Sequence, residues 1–429
     1  MVQKTIQGLL TLALSFFAVQ LPGQTHTKGA HMTLDTTDLS CSKLHDANQW
    51  TTFAGYMSGV GTQASLATVL ANLNNTAIHL DGSSGNVHPP ATGYGNGIKW
   101  DSTDEGSTDW TPQGLALGVS GSIDYSIVSW HFNNPDNPPK SGDNIYSPNG
   151  SRISILNTTS LSSTTYRNVI LVKPTGTGTY TPVYLHVGGL AIAGNYLYVA
   201  DTSDGMWVFD MNNFRKIDGD LATCRQSDGT GIFGKVGTEW CADGYGYMLP
   251  ELNHYTSSGI TGSCAMKFGY LGKDTRPSSG PQILSGEYCN TSSDTCNGDS
   301  TGLNGRLYQW PLGSDNKLVT SGGYAYATKI YYMNERQIQG VAPDMVAGAA
   351  TDSYWLSTSE GTGGGLFKVS PTATAKSWTY SNSQMPYNPE GIHATSSSGH
   401  LWMVTEGNGG TNPATGGRVL IYVDQSAIN

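Results

Sequence analysis

The stretch HVGGLAIAGNYLYVADTSDGMWVFD (186–210) decides the fold. A polar residue and glycines open an apolar run (LAIA, 190–193), an alternating segment follows (YLYVADT, 196–202), and a turn leads into GMWVFD (205–210). Alternation with period two, bounded by Gly, Asn and Asp, marks short antiparallel strands joined by tight turns.

The same unit recurs along the chain. Its middle strand reappears as YSIVSWH (125–131), QILSGEY (282–288), SYWLSTS (353–359) and HLWMVTE (400–406). Each is followed by a partner: SRISILN (151–157), GRLYQWP (305–311), GGLFKV (364–369) and GRVLIYV (417–423). The polar-Gly-apolar opening returns at Gln113-Gly114, Gln339-Gly340 and Glu390-Gly391, and in the third unit AMKFGYL (265–271) takes its place. A block of strands repeated five times predicts an all-β, five-bladed β-propeller, each blade burying its faces against its neighbours. The middle strands start between 47 residues (353 to 400) and 86 residues (196 to 282) apart. The expansions, 215–255 and 289–304, read as long disulfide-bearing loops on one face.

Composition agrees: 55 glycines and 23 tyrosines accompany few helix-forming stretches. Residues 1–24 read as a signal peptide, with Lys4, an apolar run and a small-residue exit. Residues 25–110 form an N-terminal segment that packs on or closes the propeller, and 111–429 form the propeller as one domain. A short helix is expected within 63–73.

Cys41, Cys224, Cys241, Cys264, Cys289 and Cys296 are even in number, as in oxidising compartments. Local bridges Cys224–Cys241 and Cys289–Cys296 leave Cys41 with Cys264, one of 15 possible connectivities. Glycan acceptor triplets start at Asn74, Asn149, Asn157 and Asn290. The chain is therefore read as secreted and extracellular.

A net charge of −10 with only 13% charged residues disfavours nucleic acid and anionic membranes as partners. The expected partner is an extracellular carbohydrate or small-molecule substrate; oligomeric state is left open. No zinc-binding spacing or strand-to-helix dinucleotide fingerprint is present.

HVGGLAIAGNYLYVADTSDGMWVFD, LSGEY, GRLYQWPL, WLSTSEGTGGGLF and NPEG before HLWMVTE resemble a group of secreted β-propeller proteins from filamentous bacteria and fungi. The resemblance covers about 110–423 and implies fold and location rather than a reaction. The Gly-Leu-Ala and Leu-Tyr-Val-Ala-Asp phrases are more loosely similar to gluconolactonase, paraoxonase and strictosidine-synthase propellers, whose six blades contrast with the five counted here.

In a propeller, the starts of inner strands and the ends of second strands surround one channel opening. That rule gathers Gln113, His186, Gln339 and Glu390 with His131, Asp201, Glu287, Glu360 and Glu406. The set predicts a carbohydrate-cleaving enzyme, a hydrolase with paired carboxylates (Glu390 with Glu406, Asp201 or Glu287) or a lyase in which His131 or His186 abstracts a proton while Arg336 neutralises the substrate. Gln113, Gln339, Arg336, Glu360, Trp110 and Tyr387 are candidate substrate contacts, the two aromatics reading as exposed in Pro/Asn/Asp-rich loops. Polar-Gly openings also serve as plain turn punctuation. The rival readings are a lectin-like propeller without catalysis and a calcium-dependent lactonase or esterase. No cofactor is required; Asp201 and Asp204 are weak calcium candidates, an Asp-rich turn being the competing explanation.

Overall fold

A computed structural model describes residues 32–36, 38–80, 94–132, 150–227, 231–289, 305–346, 348–359, 363–372, 376–379, 386–407, 417–426 and 428. The signal segment, Glu360, Cys296, Asn149 and Asn290 lie outside the described residues.

The described chain is mostly β, as the turn-rich composition predicts, and its strands form five antiparallel stacks that we number in chain order. Stack I runs outward through Trp110–Ser120, Ile123–Phe132, Arg152–Asn157 and Thr165–Gly176. Stack II has Leu190–Ala193, Tyr196–Asp201, Gly205–Asp210 and Tyr247–Thr256. Stack III has Tyr270–Asp274, Gln282–Gly286, Arg306–Pro311 and Lys329–Met333, with Met32–Asp35 added at its outer edge. Stack IV has Ile338–Pro343, Tyr354–Thr358, Gly365–Val369 and Lys376–Thr379. Stack V has Pro389–Ala394, His400–Thr405 and Val419–Asp424, completed by Tyr94–Lys99 and Ile78–Leu80. The outer strands of I and II pair in parallel, joining those two stacks.

Alternation sends each stack's apolar side chains to two different neighbours. Leu197 and Val199 face stack I with Ile127 and Ile153, whereas Tyr198 and Ala200 face stack III with Ile283 and Trp310. Further clusters lie between III and IV (Leu284 with Leu356), IV and V (Trp355 with Met403), and V and I (Val404 with Trp130). The five inner strands pack side by side in the order I, II, III, IV, V and back to I. They touch by packing and are not hydrogen-bonded into a closed sheet. Glycine permits the approach: a Cβ at Gly189 would collide with the backbone at Leu271, and one at Gly391 with the backbone at Leu115.

Residues ahead of Trp110 contribute strands to several stacks and a short helix, Ser102–Glu105, between the last stack and the first. Asp104 from this helix accepts from Arg152 Nη2 of stack I (2.5 Å), and Glu105 Oε1 accepts from the backbone N–H of Arg418 of stack V (3.1 Å). The helix expected within 63–73 spans Leu66–Leu70, capped by Ser65.

The third inner strand begins at Tyr270, later than the apolar run at 265–271 suggests, because Gly262–Cys264 forms a 3-10 turn first. The expansion at 215–255 is more than a loop. It holds the hairpin Phe233–Val236 with Glu239–Ala242 and the outer strand of stack II. Disulfides join Cys224 to Cys241 and Cys41 to Cys264. Cys289 is also disulfide-bonded, to a partner outside the described residues.

Candidate active site

Three inner strands are entered through the same unusual corner. Val187, Gln337 and Asn388 have φ of 51°, 49° and 47°, the left-handed region that a β-branched residue such as Val187 rarely adopts. The Ser359 N–H donates to the Gln337 carbonyl (3.0 Å) and the Glu406 N–H to that of Asn388 (3.1 Å). These corners deliver Gln339 and Glu390 to the start of their strands.

Glu390 is fully buried, at 0% exposure. Ser357 Oγ of stack IV donates to its backbone carbonyl, and Gln339 Nε2 donates to its Oε1 (3.2 Å) and to Ser359 Oγ (3.4 Å). Its Oε2 meets no donor among the described residues. Burial first, then the charge and hydrogen bond of Glu406, hold the Glu390 carboxyl well above the usual range. An acceptor facing no donor beside a second carboxyl is satisfied when Glu390 carries the proton and gives it to Glu406.

Glu406 is half-buried. Burial raises its pKa, while the Glu390 hydrogen bond and the Arg418 charge oppose that rise. Arg418 spends its own donors on main-chain carbonyls, those of Asp104 (2.8 Å) and Glu406 (3.1 Å). Its guanidinium therefore acts on Glu406 as a fixed charge. Glu105, on the other side of Arg418, is pushed up to about 6 by burial, and its Oε2 meets no donor among the described residues.

His131 and His186 lie ring over ring at 4.6 Å, tilted by 31°. Burial, His186 and Arg418 push His131 down to about 3, so it is a neutral imidazole at pH 7. Its Nδ1 and the Oε1 of buried Gln113 have no hydrogen-bond partner among the described residues. A chain of interactions thus runs from Ser359 through Gln339, Glu390, Glu406 and Arg418 to His131 and His186 across stacks IV, V and I.

The other candidates part from this group. Glu287 is buried in an ion pair with Arg306, accepting from Nη2 (2.8 Å) and Nε (3.0 Å), and Tyr308 donates to it as well. Asp201 accepts from the Ser203 N–H (3.1 Å), Ser203 Oγ (2.9 Å) and Trp207 Nε1 (3.3 Å), and Asp204 accepts from Thr256 Oγ1. These contacts make a hydrogen-bonded Asp-rich turn. Among the described residues one trio of metal-ligand types converges, Asp38 with Cys41 and Cys264, and its cysteines are bonded to each other.

Trp110 is buried rather than exposed in a loop: it begins the inner strand of stack I, with the Arg152 guanidinium 4.3 Å from its ring. Tyr387 is half-buried beside the Asn388 corner, and Arg336 is half-buried ahead of the stack IV inner strand. The cation acting on His131 is Arg418. Arg152, Arg306 and Arg418 hold the same place, at the opening of the third strand of three stacks. The sequence displays that recurrence in SRISILN, GRLYQWP and GRVLIYV.

No family model and no curated protein matches the chain, so the likeness to gluconolactonase-type propellers finds no support there. Among solved structures it is similar to a glucose dehydrogenase, at 10% identity and a TM-score of 0.35, over 81% of this chain and 96% of that one. It is also similar to the Dos1 propeller, at 10% identity and a TM-score of 0.26, over 71% of each. These likenesses are distant, and the architecture rests on the strand pairing described above.

Proposed function

We propose that the chain is a secreted five-bladed β-propeller that cleaves a carbohydrate by base-led chemistry at the start of its inner strands. The five stacks with one apolar cluster at each junction support the blade count, and residues 25–110 act as the closing segment across the seam between stacks V and I. Two disulfides and the signal-like residues 1–24 support secretion, and exposed Asn74 is the better placed glycan acceptor; Asn157 is half-buried and accepts from the Thr159 N–H (3.1 Å).

The reading rests on the coupling of Glu390 and Glu406, whose charge and hydrogen bond add to burial in holding the Glu390 carboxyl well above its usual range. Two-carboxylate glycosidases need about 5–5.5 Å between carboxyls to retain configuration and about 6.5–9.5 Å to invert it. Carboxyls coupled through a hydrogen bond work instead as one proton-sharing unit. Glu390 sits sealed behind and protonated, while Glu406 is half-buried and takes the negative charge beside Arg418. Glu406 is therefore the base that reaches substrate, and Glu390 is a positioning acid that sets its basicity.

Neutral His131 and the unsatisfied Gln113 and His131 atoms suit the hydroxyls of a sugar. In an elimination Glu406 takes the proton next to the sugar carboxylate, the C–H electron pair forms a double bond, and the bond to the leaving oxygen breaks, with a proton from solvent completing the leaving group. Elimination is favoured over two-carboxylate hydrolysis for this reason.

The test is a panel of plant, fungal and bacterial polysaccharides, read for reducing ends and for ultraviolet absorbance of a new double bond. Both signals, lost in a folded Glu406→Gln variant, support the reading. Reducing ends without absorbance overturn the elimination, and silence across the panel overturns carbohydrate cleavage for those substrates.

A further inference from the structure

The far ends of the same inner strands surround a cavity of about 780 Å³. All five strands or their exits reach it, through Leu117, Ile192, Lys273, Pro343 and Ala394. Its size suits a small organic ligand and greatly exceeds a single inorganic ion.

Among the described residues Lys273 is the one Lys or Arg lining it, half-buried on the inner strand of stack III. The neighbouring carboxylates are committed elsewhere. Asp274 accepts from Arg276 Nε (2.9 Å) and Nη2 (2.8 Å), and Asp344 pairs with Lys368 (2.8 Å). Asp124, the one carboxylate that lines the cavity among the described residues, is exposed. Burial lowers the Lys273 pKa with no acidic group opposing it, and burial together with Lys273 pushes His393 in the same cavity down to about 4. A half-buried cation with no ion pair among the described residues is a site for an anion to complete.

The remaining lining is hydroxyl-rich and carries a flat ring surface. Loops 158–162 and 395–398 supply Ser and Thr, and His400 stacks on Tyr422 at 3.9 Å and 16°. We propose that this cavity binds a small hydroxylated carboxylate such as a sugar acid, its carboxylate on Lys273 and its hydroxyls on the Ser/Thr loops. This site is separate from the Glu390–Glu406 pair and does not depend on the reaction assigned there.

The test is calorimetric titration of the full chain at pH 7 with D-gluconate, its neutral counterpart D-sorbitol, and inorganic phosphate. Gluconate is expected to bind at least about tenfold more tightly than sorbitol, the weight of one charged hydrogen bond. Lys273→Gln, with an unchanged melting temperature, should reduce gluconate to the sorbitol level. Equal binding of gluconate and sorbitol, or no binding of either, overturns the proposal on the unaltered chain, whether or not the variant folds. Phosphate binding as tightly as gluconate overturns the organic-acid assignment, and undiminished gluconate binding in the folded variant overturns the location.

Discussion

The two ends of the inner strands differ in how they treat charge. At the start, Glu390 is sealed away, a second carboxyl is coupled to it, and buried polar atoms of Gln113, His131 and Glu390 lack partners among the described residues. At the far end a cavity of about 780 Å³ is open, and one lysine stands among hydroxyls and rings. Strained left-handed corners guard the first end, at Val187, Gln337 and Asn388. Proton chemistry belongs where charge is buried and coupled, and selection of a ligand belongs where space is available.

The comparison breaks most visibly at Glu406. Glu406→Gln should lower cleavage by about 10²–10⁴-fold, the range for a positioned base, with melting temperature unchanged; initial rates at pH 7 check this. Next in size is the seam. Asp104 accepts from Arg152 (2.5 Å), Tyr166 (2.7 Å) and Asn168 (3.0 Å), so Asp104→Ala leaves Arg152 buried and without its carboxylate. Urea unfolding should show a loss of about 3–5 kcal/mol.

The Glu390 carboxyl sharpens the contrast through pH. Its folded pKa is raised, so between its usual value of 4.5 and that raised value the native state holds a proton that the unfolded chain has released. Its contribution is full below the usual value and is lost as pH rises, by about 1.4 kcal/mol for each pH unit inside that window. Glu390→Gln should therefore stabilise the chain at pH 8 relative to pH 4, measured by unfolding at both values.

His131 acts in the opposite direction. Its folded pKa of about 3 lies below the usual 6.5, so its contribution is full above 6.5 and falls away toward 3 as the unfolded chain takes up a proton first. His131→Gln should flatten that acid limb, and His393→Gln should flatten one that levels near 4. The smallest effect is expected at exposed Asn74, where Asn74→Gln should shift stability by less than about 0.5 kcal/mol while removing the mass of any attached glycan.

The strands were legible because each has a strict two-sided demand: Leu197 and Val199 pack one way, Tyr198 and Ala200 the other, and only alternation supplies both. Glu390 and Glu406 were legible through their equivalent places at an inner-strand start and a second-strand end. Glu287 occupies an equivalent place and is a structural ion pair, because Arg306 lies buried beside it. Nothing in QILSGEY alone distinguishes it from HLWMVTE; the difference lies in the arginine of the following strand and where its donors go. Arg306 grips Glu287, whereas Arg418 turns to main-chain carbonyls and leaves Glu406 to Glu390. The far cavity was illegible for another reason. Its hydroxyls come from ordinary turns, and Lys273 becomes a site only because Asp274 and Asp344 have other partners.

The most direct test of the account is an infrared difference spectrum at pH 7 between the unaltered protein and Glu390→Gln. The account predicts a protonated carboxyl band in the former that the substitution removes. A spectrum in which the substitution removes only an ionised carboxylate band would contradict it, since Glu390 would then be charged in its buried place and the proton-sharing pair would not exist.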